Sequence, residues 1–336
     1  MILITGGAGF IGSVLVKKFN DMGRTDLVVV DRFDSNDKWL NLRGLKFAEF
    51  IHADELFEKQ NQYILNSIQA IFHMGACSDT TEKNVDFLMK NNTEYSKSLF
   101  HLAAEKEIPF IYASSAATYG QGELGYSDDH EIVSKLLPLN PYGYSKQCFD
   151  EWVLKQKRFP KFWFGLKFFN VYGPHEYHKE SMRSVVYHAF EQVKKDGEVK
   201  LFMSLHPDYK DGEQKRDFIY VKDAVAAMIS LYELHMKNPM QNYSGIFNMG
   251  TGIARTFNDL AQAVFTACDL SPHIKYINMP EGLAPQYQYF TEANMHKFST
   301  LLPDFKFSSL EEGVKDYVQN FLRESSPYLH FGKNYF

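Results

Sequence analysis

Tyr142 and Lys146 stand four residues apart in Asn140-Pro141-Tyr142-Gly143-Tyr144-Ser145-Lys146. That stretch reads as a helix start, with Asn140 as N-cap and Pro141 in the first turn. Four residues make about one turn, so the phenol and the ammonium share a face. A phenol titrates near pKa ~10 and is a poor base at neutral pH unless a cation stabilises its phenolate. Beside Lys146, Tyr142 can take a proton from a carbinol while Ser115 holds the same oxygen. Ser115 lies in Ser114-Ser115-Ala116-Ala117-Thr118-Tyr119-Gly120. This run follows the strand-like stretch 109–113, at the carboxyl end where an open parallel sheet presents reactive groups.

Such a sheet is announced by the first thirty-one residues. An apolar run, Ile2 to Ile4, leads into Gly6-Gly7-Ala8-Gly9-Phe10-Ile11-Gly12; a helix-compatible segment and a second strand ending in Asp31 follow. A side chain at Gly6, Gly9 or Gly12 would obstruct the tight turn, the approach of a pyrophosphate or the packing of helix on strand. The pattern therefore predicts a dinucleotide site, and an oxidised nicotinamide would be a second cation for the phenolate. Asp31 is placed to accept from a ribose hydroxyl and favour NAD; Arg32 and Lys38 are placed to neutralise a 2′-phosphate and favour NADP. Two cations against one carboxylate that can turn away give NADP as the expectation, with NAD as the alternative. Residues 70–73 read as another buried strand, running into Met74-Gly75-Ala76-Cys77-Ser78, a small-residue loop that can pass close to the cofactor. Cys77 reads as a packed small hydrophobe. A helix is expected over 86–104 with Phe87 inward, and a buried asparagine at 91 or 92 could hold a bent segment against the cofactor.

Composition limits the rest. In 336 residues, 45% hydrophobic and 23% charged, there is enough apolar material for a large core. A net charge of -5 gives no basic field for nucleic acid. Three cysteines without metal spacing suggest no metal and a reduced, cytoplasmic setting. No run is apolar for long enough to span a membrane, and the first residues do not resemble a signal peptide.

The Gly6 to Gly12 turn, the 114–120 stretch, Tyr142 with Lys146, Phe169-Asn170-Val171-Tyr172-Gly173-Pro174 and Arg216-Asp217-Phe218-Ile219-Tyr220-Val221 together resemble the extended short-chain dehydrogenase/reductases that act on nucleotide sugars. Cys77-Ser78, Ala116-Ala117, His178-Lys179-Glu180-Ser181-Met182 and Lys215-Arg216-Asp217-Phe218 are similar to the branch that epimerises ADP-heptose at C6. The resemblance implies an α/β fold: a Rossmann-type doubly wound parallel sheet over 1–170 and 216–248, a smaller mixed α/β substrate cap over 171–215 and 249–324, and a tail, 325–336. It implies inversion through a transient ketone, with bound NADP oxidised again as hydride returns, in the supply of a lipopolysaccharide precursor. It carries Tyr142, Lys146, Ser115 and Lys179 as catalytic residues, Lys179 as a second acid/base for the other orientation of the oxygen. Phe10, Ile11, Asn91, Val171 and Lys179 join the cofactor residues, while Ser115, Asn170, Ser181, His188, Phe202, Arg216 and Tyr287 are implied at the substrate. Arg216 would grip a diphosphate, for which a guanidinium offers a planar fork; an ion pair with Asp217 or Asp223 is the other reading of it. Tyr177 and Glu180 depart from the family pattern, which has glycine at both positions. A homo-oligomer is expected.

Alternatives within the class are a 4-epimerase and a 4,6-dehydratase; Ala116 and Ala117 lack the extra acid and base that elimination needs. Outside it, a non-catalytic NAD(P)-binding sensor is opposed by the intact Tyr142–Lys146 pair. Helices are expected over 181–195 with Val185 inward, 221–234, 256–268 and 310–322, and strands over 200–202, 245–248 and 275–279. The loop 203–215 and the polar-aromatic run 286–290 complete the cap. The tail, aromatic with Lys333, is left between docking on a neighbouring subunit and disorder.

Overall fold

The computed structural model describes all residues except Ser35, Pro239, Asn242, Glu281, 283–286 and Phe331. Ser35, in the polar stretch from Arg32 to Lys38 where the adenosine ribose is expected, and Gln286, in the polar-aromatic run, thus lie outside the described residues.

The chain begins β1 (Ile2–Thr5), α1 (Phe10–Asp21), β2 (Leu27–Asp31), β3 (Glu49–His52), α2 (Gln62–Ser67), β4 (Ala70–His73), α3 (Val85–Leu88), α4 (Tyr95–Glu105) and β5 (Phe110–Ser115). It continues α5 (His130–Val133), α6 (Pro141–Leu154), β6 (Trp163–Phe168), β7 (Asn170–Tyr172), α7 (Val185–Asp196), β8 (Val199–Phe202), β9 (Lys215–Tyr220) and α8 (Val221–Lys237). Last come β10 (Gly245–Met249), β11 (Ala254–Thr256), α9 (Phe257–Ala267), β12 (Ile274–Ile277), α10 (His296–Leu301) and α11 (Leu310–Tyr317).

Seven strands form one parallel sheet in the order β10-β6-β5-β4-β1-β2-β3. β1, β2, β4 and β6 are buried along their whole length, as strands covered by helices on both faces must be. The strand order reverses between β1 and β4, and at such a switch point a crevice opens above the carboxyl ends. Two small sheets lie beside this body: β11-β9-β7, with β9 antiparallel to β11 and parallel to β7, and the parallel pair β12-β8. No helix among the described residues is long and apolar enough to cross a membrane.

Local sequence explains the element ends. Asn140 accepts from the Gly143 N–H at 2.8 Å and Pro141 occupies the first turn of α6, as the sequence suggests. The helix expected over 86–104 is interrupted by a π-helical turn, Met89–Glu94, between α3 and α4. Phe87 is exposed rather than inward. The helix expected from 181 begins instead at Val185, which is also exposed, because Ser184 caps it by accepting from the Tyr187 N–H at 3.2 Å. Residues 177–182 form a separate 3-10 turn. The last helix likewise passes into a π turn, Val318–Leu322, after α11.

The described residues of the tail lie against their own chain. The Leu329 N–H donates to His175 Nε2 at 2.8 Å, Lys17 Nζ to the Lys333 carbonyl at 2.8 Å and Lys222 Nζ to the Tyr335 carbonyl at 2.5 Å. Fully buried Leu329 anchors it.

Candidate active site

The crevice at the switch point is a cavity of about 710 Å³. Its floor is the glycine turn. Gly6 has φ +64°, and a Cβ there would stand 2.6 Å from Gly75 Cα; a Cβ on Gly12 would stand 2.1 Å from the Gly6 carbonyl oxygen. Only glycine lets the β1 turn, the 74–78 loop and α1 come this close. The first turn of α1 lines the cavity through Phe10, Ile11 and Gly12, and the amide end of a helix suits a pyrophosphate.

At the far end, Asp31 Oδ2 accepts from the Ala8 N–H at 2.8 Å, and Oδ1 accepts from the Arg32 N–H at 2.8 Å and from Lys38 Nζ at 3.0 Å. The carboxylate is thus turned onto the protein. Arg32 pairs with Asp54 and donates to Asn91 Oδ1 at 2.8 Å; the Asp54 hydrogen bond raises its pKa. Asn92, fully buried in the π turn, accepts from the Cys77 N–H and donates to the Cys77 carbonyl, both at 2.9 Å, and donates to Ser145 Oγ at 3.0 Å. The bent helix therefore clamps the 74–78 loop and α6 together. The Cys77 thiol is pushed up by burial, in keeping with a packed rather than a reactive cysteine.

At the near end, Tyr142 and Ser115 line the cavity together; burial raises the phenol's pKa, and its interaction with Ser115 opposes that rise. Lys146 is buried and donates from Nζ to the Ala113 carbonyl at 2.8 Å; desolvation lowers its pKa to about 8. Across the cavity, Lys179 Nζ stands 5.7 Å from the Phe10 ring centroid. Burial lowers its pKa, and the neighbouring Glu176 opposes that. Glu176 is itself buried and accepts from Ser184 and from the Gly173 N–H, while burial pushes its carboxyl up.

All of the expected cofactor residues line this cavity: Gly6, Gly9, Phe10, Ile11, Gly12, Asp31, Arg32, Lys38, the run Met74, Gly75, Ala76, Cys77 and Ser78, then Asn91, Tyr142, Lys146, Val171 and Lys179. Ser115 and Ser181 line it too. Asn170, His188, Phe202, Arg216 and Tyr287 do not. Asn170 is exposed at the start of β7, and His188 turns back to the Ser181 carbonyl at 3.3 Å. Phe202, Arg216 and Tyr287 form a second group. The Arg216 guanidinium lies 5.3 Å from the Tyr287 ring and 5.6 Å from Phe257, and Phe202 packs 6.4 Å from Tyr287. Arg216 donates to the Lys215 and Gln288 carbonyls and makes no ion pair among the described residues. Asp217 instead accepts from Thr251, Gly252 and Ala293.

A model of the NAD dependent epimerase/dehydratase family matches residues 2–250. The chain belongs to that family. Relatives in it include an ADP-L-glycero-D-manno-heptose-6-epimerase from Fusobacterium nucleatum subsp. nucleatum, 52% identical over 98% of this chain and 100% of the relative. One of the same name from Nitratidesulfovibrio vulgaris is 50% identical over 98% of this chain and all of the relative. The crystal structure of Helicobacter pylori ADP-L-glycero-D-manno-heptose-6-epimerase superposes with a TM-score of 0.78 at 32% identity, covering 95% of each chain. The protein is thus an epimerase, and a nicotinamide dinucleotide is the cofactor that suits its glycine cradle.

Sequence reasoning missed several groups in this epimerase. Buried His73 accepts or donates to Thr5 Oγ1 at 2.6 Å and to Ser96 Oγ at 2.7 Å, tying β1, β4 and α4 together; burial lowers its pKa to about 3. His175 does the same between Ser13 Oγ, at 2.8 Å, and the tail. Tyr95 and His178 line the cavity. A histidine ending a buried strand is a visible signal for His73; nothing local announces His175.

Proposed function

We propose that this epimerase inverts C6 of the heptose in ADP-D-glycero-D-manno-heptose to give ADP-L-glycero-D-manno-heptose, through a 6-ketone and with NADP as the resident cofactor. The substrate is carried over from the relatives. The observation that carries the chemistry is that Ser115, Tyr142 and buried Lys146, one helical turn beyond Tyr142, line one cavity with the glycine turn. When bound, the nicotinamide supplies the hydride acceptor and later the donor. Tyr142 takes the proton of the C6 hydroxyl, Ser115 holds its oxygen, and Lys146 stabilises the phenolate. Return of hydride to the other face requires the oxygen in a second position, for which Lys179, desolvated on the facing loop, is the proposed acid/base. NADP is favoured because Asp31 is engaged by Ala8, Arg32 and Lys38, so its carboxylate is neutralised at the site where a 2′-phosphate would sit.

Purified protein should convert ADP-D-glycero-D-manno-heptose without added cofactor. Tyr142→Phe should slow it by about 10²-fold or more, the usual scale for a general acid/base. Undiminished turnover in Tyr142→Phe would remove the pair from the mechanism, and wild-type epimerisation by Lys179→Met would place the second acid/base elsewhere.

A further inference from the structure

Beneath the reacting groups lies a charge pair that the mechanism above does not use. Asp150 and Lys167 are both fully buried, and Lys167 Nζ donates to Asp150 Oδ2 at 2.7 Å. Asp150 Oδ2 also accepts from Ser114 Oγ at 2.7 Å, and Oδ1 from the Tyr112 hydroxyl at 2.9 Å. Lys167 Nζ donates in addition to Thr118 Oγ1 at 2.7 Å, whose hydroxyl donates to the Ser115 carbonyl at 2.8 Å. A buried ion pair is costly to desolvate and is weak as a source of stability, so its retention invites a reason beyond packing.

The geometry supplies one. Asp150 sits on α6 one turn beyond Lys146, and two turns beyond Tyr142, so its charge is on the face that carries both. On β5, successive residues point to opposite faces. Tyr112 and Ser114 bond to Asp150, while the Ala113 carbonyl receives Lys146 and Ser115 meets Tyr142. One strand end is therefore registered against one helix by bonds on both sides of its backbone.

We propose that Asp150, ion-paired with Lys167, is a positioning residue that fixes β5 against α6 and sets its carboxylate one helical turn from the Lys146 ammonium beside Tyr142. This rests on the reading of Tyr142 and Lys146 as the acid/base pair. Asp150 favours the charged form of Lys146 and disfavours the phenolate of Tyr142. The other titratable groups facing Lys146 are His73 of β4 and Cys77 of the following loop. Those facing Asp150 are Tyr112 of β5, Tyr119 after it and His130 of α5. Asp128 faces Tyr119 and Lys167, and Lys297 Nζ donates to the Asp128 carbonyl at 3.4 Å. Burial holds His73 neutral down to about 3 and His130 down to about 4, and pushes Cys77, Tyr112 and Tyr119 up. The Asp150–Lys167 ion pair thus lies directly behind Tyr142 and Lys146.

Removing the carboxylate should ease proton loss from both Lys146 and Tyr142. In Asp150→Asn both limbs of the kcat–pH profile should move to lower pH, by about one unit for a unit charge this near. The titration of the Tyr142 phenol should move the same way without turnover, read as the ultraviolet phenolate absorbance lost when Tyr142→Phe is added to each background. Because Asp150→Asn leaves the Lys167 ammonium unpaired in the interior, Asp150→Asn/Lys167→Met is the second variant; its limbs and phenol midpoint should also lie below those of the parent protein. If the phenol midpoint and both limbs stay in place in whichever of these variants folds, Asp150 acts by packing alone and the proposal is wrong. Full turnover by Tyr142→Phe would overturn the acid/base reading instead, and the phenol titration would still judge Asp150.

Discussion

Lys146 pays for its position in stability. Burial lowers its pKa from the ordinary 10.5 to about 8, with Asp150 opposing the shift. Between those values the unfolded chain holds a proton that the folded chain has lost, so folding stability rises with pH across this window. Below about pH 8 both states are protonated and the cost of burying the ammonium is carried in full, on the order of 3 kcal/mol. Lys146→Met should therefore raise the melting temperature at pH 7 while abolishing turnover. The gain should shrink as pH climbs from 8 towards 10.5, because the parent protein then recovers what it had lost. Thermal unfolding of both proteins across that range checks the sign, and a destabilised Lys146→Met at neutral pH would contradict it.

At the scale of elements, the glycine turn, the β5 end and the start of α6 were legible because each is fixed by local rules: three spaced glycines, a serine run after a strand, and an Asn-Pro cap. The loop from 173 to 184 was not. Its shape depends on Glu176, buried and accepting from Ser184 and Gly173, contacts that no local pattern encodes. Here the two departures from the family pattern separate. Tyr177 is accommodated, its hydroxyl donating to the Pro327 carbonyl at 2.8 Å. Glu180 adopts φ 48°, ψ -119°, a conformation suited to glycine, directly after Lys179. Glu180→Gly should remove that strain and raise stability by about 1 kcal/mol, the gain being reduced by the greater freedom of glycine in the unfolded chain. Turnover should be kept, since the proposed mechanism assigns no proton to exposed Glu180. Denaturant unfolding would show the gain; a loss would mean that the Glu180 side chain holds the loop by a contact worth more than the strain. The π turn at Met89–Glu94 was hidden for a similar reason, since its register is set by Asn92 reaching Cys77 and Ser145.

The whole molecule is closed by its tail, whose composition gave no way to choose a partner because the groups it meets come from distant parts of the chain. It crosses α1 through Lys17 and through Lys18, which stands 4.4 Å from the Phe336 ring, and it reaches α8 through Lys222. Ahead of these anchors Leu329 is buried, its N–H held by His175, and Tyr328 packs 5.2 Å from Tyr177. His175 and Tyr177 begin the turn that presents Lys179, and His175, at φ +79°, needs support from its surroundings to stay there. The tail is thus a brace for that turn. Leu329→Ala should destabilise the protein by about 2–4 kcal/mol, the range for emptying a buried leucine site. Deletion of residues 326–336 should lower the melting temperature further. Turnover should fall more than cofactor retention in both, because among the described residues the glycine cradle and the 74–78 loop make no bond to the tail, whereas the Lys179 turn does. Measuring kcat, bound cofactor and unfolding on the same samples separates these effects: parallel loss of cofactor and turnover would mean that the tail supports the body as a whole.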